Sequence, residues 1–204
     1  MEERMKPWLG HAGWIAALLF VAAVTGFGSA LEGYSQLRFP VALLGAKGFP
    51  NALAFNLLAF VLPGMLAGVV AMLLRRRLPA GAGWSLRIGA QLALLSALAF
   101  IAMGLLPLDP RDLENEGSRL HGTAWMLWTV AFVPAAVLMG AGLLAYPNAR
   151  RFAWLCLVLA AGVMLAGFVF TDFMPAGLAQ RIAFGLWLLW VAVAGRFTFR
   201  ASAT

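Results

Sequence analysis

Residues 51–74 read NALAFNLLAFVLPGMLAGVVAMLL, carry no charged side chain and are followed directly by Arg75, Arg76 and Arg77. A transmembrane helix needs about 20 apolar residues to cross about 30 Å of hydrocarbon, so this stretch is long enough to span a bilayer. Pro63 lacks the backbone N–H that a helix interior uses, and we expect a kink there. The stretch therefore predicts a membrane-spanning helix that ends at a cluster of positive charge.

The remainder of the 204-residue chain has the same apolar character. Hydrophobic residues make up 63% of the sequence and charged residues 11%, with a mean hydropathy of +0.88. Soluble domains average about 45–50% apolar and about 25% charged residues, so only a membrane protein fits. We predict an all-α polytopic protein in which residues 1–204 form a single domain of six transmembrane helices. The predicted spans are residues 8–27, 51–74, 84–106, 121–146, 152–170 and 180–199.

The positive residues indicate how the bundle is oriented. If the N-terminus is cytoplasmic, ten of the fifteen Lys and Arg residues fall at the inner ends of the spans, where positive residues are enriched. We therefore expect a multi-pass protein of the bacterial inner (cytoplasmic) membrane with both termini in the cytoplasm. The ten inner residues are Arg4, Lys6, Arg75, Arg76, Arg77, Arg87, Arg150, Arg151, Arg196 and Arg200.

Several classes of partner do not fit the sequence. The net charge of +7 comes from arginines that flank apolar spans, not from a continuous basic groove, so no nucleic-acid partner is expected. The only cysteine, Cys156, lies inside a span, and His11 and His121 fall near opposite membrane faces. We therefore predict no metal site. The sequence has no glycine-rich phosphate loop or dinucleotide fingerprint, and no cofactor is predicted.

The longest polar interruption lies at residues 105–125, LLPLDPRDLENEGSRLHGTAW. It contains four of the eight acidic residues and brings His121 to the start of the fourth span. At helical spacing His121, Trp125 and Trp128 share one face, which would set an imidazole above an aromatic wall. Such a face could hold an amphipathic ligand, while an interfacial aromatic belt would explain the same residues without one.

The three outer loops follow a common scheme. Each contains an acidic residue, and each returning helix begins with a polar residue, as Asp172 is followed by Gln180 and Arg181. If the three hairpins pack around one axis, these groups converge at the outer end. We therefore predict a polar pocket for a lipid-like or small amphipathic ligand, with helix capping and ion pairs of Arg181 as the alternative. The candidate ligand-binding residues are Glu32, Tyr34, Arg38, Asp109, His121, Trp125, Trp128, Asp172 and Arg181.

Three other functions remain open at this stage. A membrane-embedded hydrolase of a lipid ester, amide or phosphoester would need His121 beside a hydroxyl and a carboxylate, but no local spacing selects a nucleophile. A small transporter would need a polar path, for which Asn56 and Gln91, both expected to bond across helices, are the main indication. A structural subunit would use Gly64 and Gly68 to contact another chain. The sequence leaves open whether the protein is an enzyme and which oligomer it forms, and it makes membrane lipids the expected partners.

The loops also carry a resemblance to a known family. The segments Tyr34–Pro40 (YSQLRFP), Leu43–Asn51 (LLGAKGFPN), Gly104–Asp109 (GLLPLD) and Gly177–Ile182 (GLAQRI), together with the His121-Gly122 pair, resemble the domain of unknown function 998 family. The resemblance covers nearly the whole chain, from about Trp14 to Trp190. It implies a six-span bacterial or archaeal membrane protein, and it implies no established activity or catalytic residues.

Overall fold

A computed structural model describes residues 7–199, and it confirms the six predicted membrane-spanning helices. Within that range the regular structure is entirely helical. Arg4, Lys6 and Arg200, which contributed to the predicted orientation, lie outside the described residues. The six helices are α1 (Ala12–Ala30), α2 (Ala52–Arg76), α3 (Trp84–Leu105), α4 (Glu116–Leu143), α5 (Arg150–Phe168) and α6 (Ala176–Arg196).

The helices form a closed ring in chain order. Each helix packs against the next, and α6 returns to pack against α1 and also contacts α2. The first loop (residues 31–51), the second loop (106–115) and the third loop (169–175) therefore lie at one end of the bundle. All six acidic side chains in the described range lie at this end, which we call the acidic end. The opposite end, the basic end, carries seven arginines and no acidic residue between residues 7 and 199.

Aromatic side chains fill the interior of the ring. Phe100 of α3 lies at their centre, with ring centroids 4.3 Å from Trp187 and 5.4 Å from Phe184 on α6. Trp128 of α4 is fully buried against the same rings, 5.0 Å from Phe184. Phe20 of α1 closes the cluster at 5.6 Å from Phe184. Contacts of this kind add about 0.5–1.5 kcal/mol per pair beyond burial, so the cluster holds four helices, α1, α3, α4 and α6, together around an apolar centre.

Helix α2 contains the irregularity that Pro63 predicts. Residues Ala52–Asn56 are α-helical, Leu57–Val61 form a π-helical turn, and Leu62–Arg76 are α-helical again. A proline ring clashes with the carbonyl four residues earlier, which here is that of Ala59. The wider π turn lies at this carbonyl and accommodates the proline within the span.

Helix α4 begins earlier than the sequence predicted. The fourth span was expected to start at His121, but the helix starts at Glu116, because the Asn115 side chain accepts a hydrogen bond from the Ser118 backbone N–H at 3.0 Å. This N-cap satisfies a donor that would otherwise lack a partner in the first turn. His121 therefore lies in the second helical turn and is buried.

Asn56 and Gln91, the two amide side chains predicted to bond across helices, lie in different environments. Asn56 is buried and donates to the Gly45 carbonyl at 2.8 Å, which ties α2 to a short 3₁₀ helix, Val41–Gly45, in the first loop. The prediction that Gln91 bonds across helices was wrong, since Gln91 is exposed at the basic end. Gly64 packs within the chain, where an added Cβ would lie 2.6 Å from the Ile101 side chain of α3.

Candidate ligand groove between the first and last helices

Arg181, in the second turn of α6, fastens the first loop to the bundle. Its guanidinium donates from Nη2 to the Tyr34 hydroxyl at 2.7 Å and to Gln36 Oε1 at 2.7 Å. Nη1 donates to the carbonyls of Phe39 at 2.9 Å and Gly177 at 2.8 Å. Next to it, Gln180 accepts the Val41 backbone N–H at 2.9 Å.

All five N–H groups of this guanidinium are occupied, because Nε also donates to Gln36 Oε1, at 3.1 Å. Every acceptor is a neutral oxygen. The alternative use of Arg181, an ion pair with an acidic residue of the outer loops such as Asp172, Glu32 or Asp109, was therefore wrong, and neutral dipoles alone surround its charge. An arginine whose donors are all used attracts an anion through its charge, without a free fork for bidentate binding.

Tyr34 and Gln36 complete this polar corner. The Tyr34 hydroxyl donates to the Pro40 carbonyl at 3.1 Å and its ring lies beneath the Arg181 guanidinium, 5.8 Å from the ring centroid. Burial raises the pKa of Tyr34 above its usual value, although the hydrogen bond from Arg181 and its positive charge partly oppose this. Gln36 donates from Nε2 to the Val24 carbonyl of α1 at 2.9 Å, so it links the loop, α1 and α6.

Below this corner a groove runs between α1 and α6. It has a volume of about 400 Å³ and its walls are almost entirely apolar. Along α1 it extends from Trp14 to Thr25, which at 1.5 Å per residue is about 16 Å. Gln36 and Arg181 form its polar end. The other lining residues are Ala17, Phe20, Val21, Val24, Gly185, Leu188, Leu189 and Ala192.

The far end of the groove lies toward the basic end of the bundle. Trp14 is 40% exposed there, and Arg196 of α6 lies over its ring at 5.8 Å from the centroid. Arg196 Nη2 also lies 2.9 Å from His11 Nδ1. The groove thus has an arginine near each end and apolar walls between them.

His121 and Asp109, two residues of the predicted pocket, instead form hydrogen bonds within the second loop and its flanking helix ends. His121 Nδ1 lies 2.9 Å from the Leu106 carbonyl and 3.1 Å from the Met103 carbonyl, at the end of α3. Oδ1 of Asp109 accepts the Arg111 backbone N–H at 3.1 Å. The Ser118 hydroxyl is hydrogen-bonded to the backbone of Asp109 and Asp112. These contacts fix the turn between α3 and α4.

The remaining predicted residues are dispersed. Trp125 packs on Phe168 of α5 at 5.7 Å, and Trp128 lies in the aromatic interior, so neither lines the α1–α6 groove. Glu32, Arg38 and Asp172 are exposed, on the first and third loops. Of the nine candidates, the structure brings Tyr34 and Arg181 into direct contact, and only Arg181 lines the groove.

Sequence reasoning missed Gln36 and the apolar walls. Gln36 lies between Tyr34 and Arg38 but is neutral, and the charge pattern gave it no weight. Trp14, Phe20 and Leu188 have the composition of any lipid-facing or core position, so only the packing of α1 on α6 distinguishes them. Among residues 7–199, no group of three or more His, Cys, Asp or Glu side chains is arranged to hold a metal ion.

Comparison with known protein families identifies a match over most of the chain. The family described as "Protein of unknown function (DUF998)" matches residues 14–196. The chain belongs to this family. The DUF998 match spans the stretch in which the loop motifs indicated the resemblance. No curated protein and no solved structure matches the chain.

The motifs that carry the DUF998 resemblance contact one another at the acidic end. Tyr34 of the first motif bonds Arg181 of the last, and the Lys47 backbone N–H donates to the Leu108 carbonyl in the second loop at 2.8 Å. In this DUF998 protein the first loop is therefore held from both sides, by the second loop and by α6. These contacts place the polar end of the groove on a rigid support.

Proposed function

We propose that this DUF998 protein binds a lipid-like amphipathic molecule in the groove between α1 and α6. The apolar part would lie along the two helices, and the polar head would lie beside Gln36 and Arg181. The observation that carries the proposal is the groove itself, because it combines about 400 Å³ of apolar space with one polar end. Ligand sites in proteins have this composition and fall in the range of about 300–1,000 Å³.

The charge of Arg181 favours an anionic head group. Its hydrogen-bond acceptors are neutral, so its positive charge is not cancelled by a contacting carboxylate. Because its N–H groups are already used, the attraction would be electrostatic, and the direct polar contact would come from the second N–H of the Gln36 amide, whose first N–H is donated to Val24. In the predicted orientation this head group would lie in the outer leaflet of a bacterial inner membrane.

The geometry gives less support to a hydrolase that uses His121. Such an enzyme needs the imidazole beside a hydroxyl nucleophile and a carboxylate. The hydrogen-bond partners of His121 are main-chain carbonyls, and the nearby Ser118 hydroxyl is bound to the backbone. The aromatic interior similarly gives no support to a polar path for transport.

A blocking substitution tests the proposal. Gly185 lines the groove and a Cβ added there meets no atom within 4 Å, so a tryptophan at this position can begin in open space and should fill the groove. Gly122, on the exposed side of α4, also has open space around it and lies outside the groove, which makes Gly122→Trp a matched control. We would record native mass spectra of the wild type and both variants after mild solubilisation from the same membranes.

We expect one more bound molecule on the wild type and on Gly122→Trp than on Gly185→Trp, and the species that carries this molecule should fall at least tenfold in Gly185→Trp, which is about 1.4 kcal/mol. Equal adduct on all three proteins, or none on a wild type that is reconstituted with added phospholipid, would refute binding in this groove.

A further inference from the structure

The basic end of the bundle carries a strong and unbalanced positive charge. Between residues 7 and 199 its seven arginines face no acidic residue, because all six acidic side chains of that range lie at the opposite end. Charges at the edge of a bilayer are stabilised by partners, and anionic phospholipid head groups are the abundant partners available there.

The arginines of this end do not all have the same use. Arg77 donates from Nη1 to the carbonyls of Gly195 and Phe197, both at 2.9 Å, and so caps the end of α6. Arg87 donates to the carbonyls of Ala82 at 3.0 Å and Ala80 at 2.7 Å, which closes the turn before α3. Both side chains therefore hold the protein together.

Arg75 and Arg76 differ, because they are exposed and border a second groove between α2 and α3. This groove has a volume of about 390 Å³ and is separate from the α1–α6 groove. Gln91 of α3 stands across from the arginines and supplies an exposed amide. Met72 and Leu94 continue the groove along the two helices toward the bilayer interior.

From this arrangement we propose that the α2–α3 groove binds an anionic phospholipid. Its phosphate would contact Arg75 and Arg76, Gln91 would donate to a head-group oxygen, and one acyl chain would lie against Met72 and Leu94. Charge complementarity selects the anionic class, since two arginines and an amide border the polar end and the basic end offers no carboxylate within residues 7–199. The apolar continuation selects a lipid over a soluble phosphate.

The test compares two arginine pairs of equal charge at the same membrane face. The protein would be reconstituted in equimolar phosphatidylglycerol and phosphatidylcholine, and retained lipid would be counted by native mass spectrometry. The variant is Arg75→Gln with Arg76→Gln, and the control is Arg150→Gln with Arg151→Gln, whose arginines are also exposed but begin α5 and do not line the groove. A thermal melt of each protein confirms folding.

With Gly185→Trp present in every protein, so that the α1–α6 groove contributes no lipid, we expect phosphatidylglycerol, not phosphatidylcholine, on the parent and on the α5 control, with about a tenfold loss when the α2 pair is replaced. Binding to the parent should also weaken as salt is raised, because the contact is ionic. Gly185→Trp should keep this lipid, which separates the site from the α1–α6 groove. Equal losses for both arginine pairs, or retention in the α2 variant, would overturn the proposal.

Discussion

Arg181 joins parts of the chain that are distant in sequence, since Gln36 precedes it by 145 residues. It does so with neutral acceptors: a phenol, an amide and two carbonyls. Hydrogen bonds from a charged donor are worth about 1.5–3 kcal/mol each when the acceptor is buried, so this one side chain can hold the first loop on α6. The polar end of the groove is therefore preorganised.

Tyr34 gives this corner a pH dependence with a defined sign. The folded protein raises the pKa of Tyr34, so it keeps the phenol proton where an unfolded chain, at the ordinary value of 10.0, loses it. The unfolded state then binds fewer protons, and stability falls as pH rises above about 10. Tyr34→Phe removes this dependence together with the hydrogen bonds to the Pro40 carbonyl and from Arg181, which costs about 2–4 kcal/mol near neutral pH.

The measurement is the unfolding free energy of the wild type and Tyr34→Phe in detergent, from neutral pH to about pH 11. The advantage of the wild type should shrink above about pH 10. Tyr146 is present in both proteins and cancels in the difference. An advantage that stays constant or grows with pH would contradict the described environment of Tyr34.

Individual residues were only partly predictable from the sequence. Charge and polarity selected Arg181 and Tyr34, which do contact each other, and helical spacing correctly grouped His121 with Trp128 on one buried face. Helical spacing does not identify the partners of a helix face. Here they are main-chain carbonyls at the end of α3, which contact His121, and aromatic rings of neighbouring helices, which contact Trp128. The partners of Arg181 were predicted as acids because the sequence shows charge but not the neutral carbonyls that the folded loop presents.

Among the helices, α1 and α6 form the walls of the groove and are in close contact at its basic end. A Cβ added at Gly13 would lie 2.6 Å from Ala192 Cα and 2.7 Å from the Val191 carbonyl carbon, so the two backbones are in contact. Small residues at such crossings allow helices to pack in a membrane, where apolar burial alone gives no preference for protein over lipid.

We predict that Gly13→Ala destabilises the protein by about 1–3 kcal/mol, because the added methyl meets backbone that cannot rotate away. Gly26→Ala, on the same helix with open space around it, should be neutral or slightly stabilising, since alanine favours helix. Thermal unfolding followed by circular dichroism compares the two. Similar melting temperatures for both variants would count against the close α1–α6 contact.

The number of helices was predictable because length and hydropathy set it, and all six were found. The residues at which the helices begin and end were less predictable. The start of α4 was missed by five residues, although Asn115 and Ser118 form a capping pattern, because the apolar signal begins only after His121. A kink was predicted at Pro63, and the structure has a π turn just before it, at Leu57–Val61, which the sequence did not predict.

For the whole molecule, we predict that the basic end lies in the cytoplasm, because positive residues are enriched at the inner ends of membrane spans. Leu113 is exposed at the acidic end and Gly81 is exposed at the basic end, so a cysteine introduced at either position can react. The native Cys156 is buried and should not react. A membrane-impermeant maleimide applied to intact cells should label Leu113→Cys at once and Gly81→Cys only after permeabilisation. The reverse labelling pattern would show that the basic end faces outward and would contradict the predicted orientation.

Binding in the α1–α6 groove is tested most directly by photo-crosslinking in native-like membranes. A phospholipid with a diazirine on its acyl chain would be activated, and the labelled peptides identified by mass spectrometry. We predict labels concentrated between Trp14 and Thr25 on α1 and between Gly185 and Ala192 on α6, with a second group around Met72 and Leu94 in the α2–α3 groove. Gly185→Trp should lose the first group and keep the second. Labels spread over the lipid-facing surfaces of all six helices, such as Leu98 and Val158, and unchanged in Gly185→Trp would contradict a specific groove.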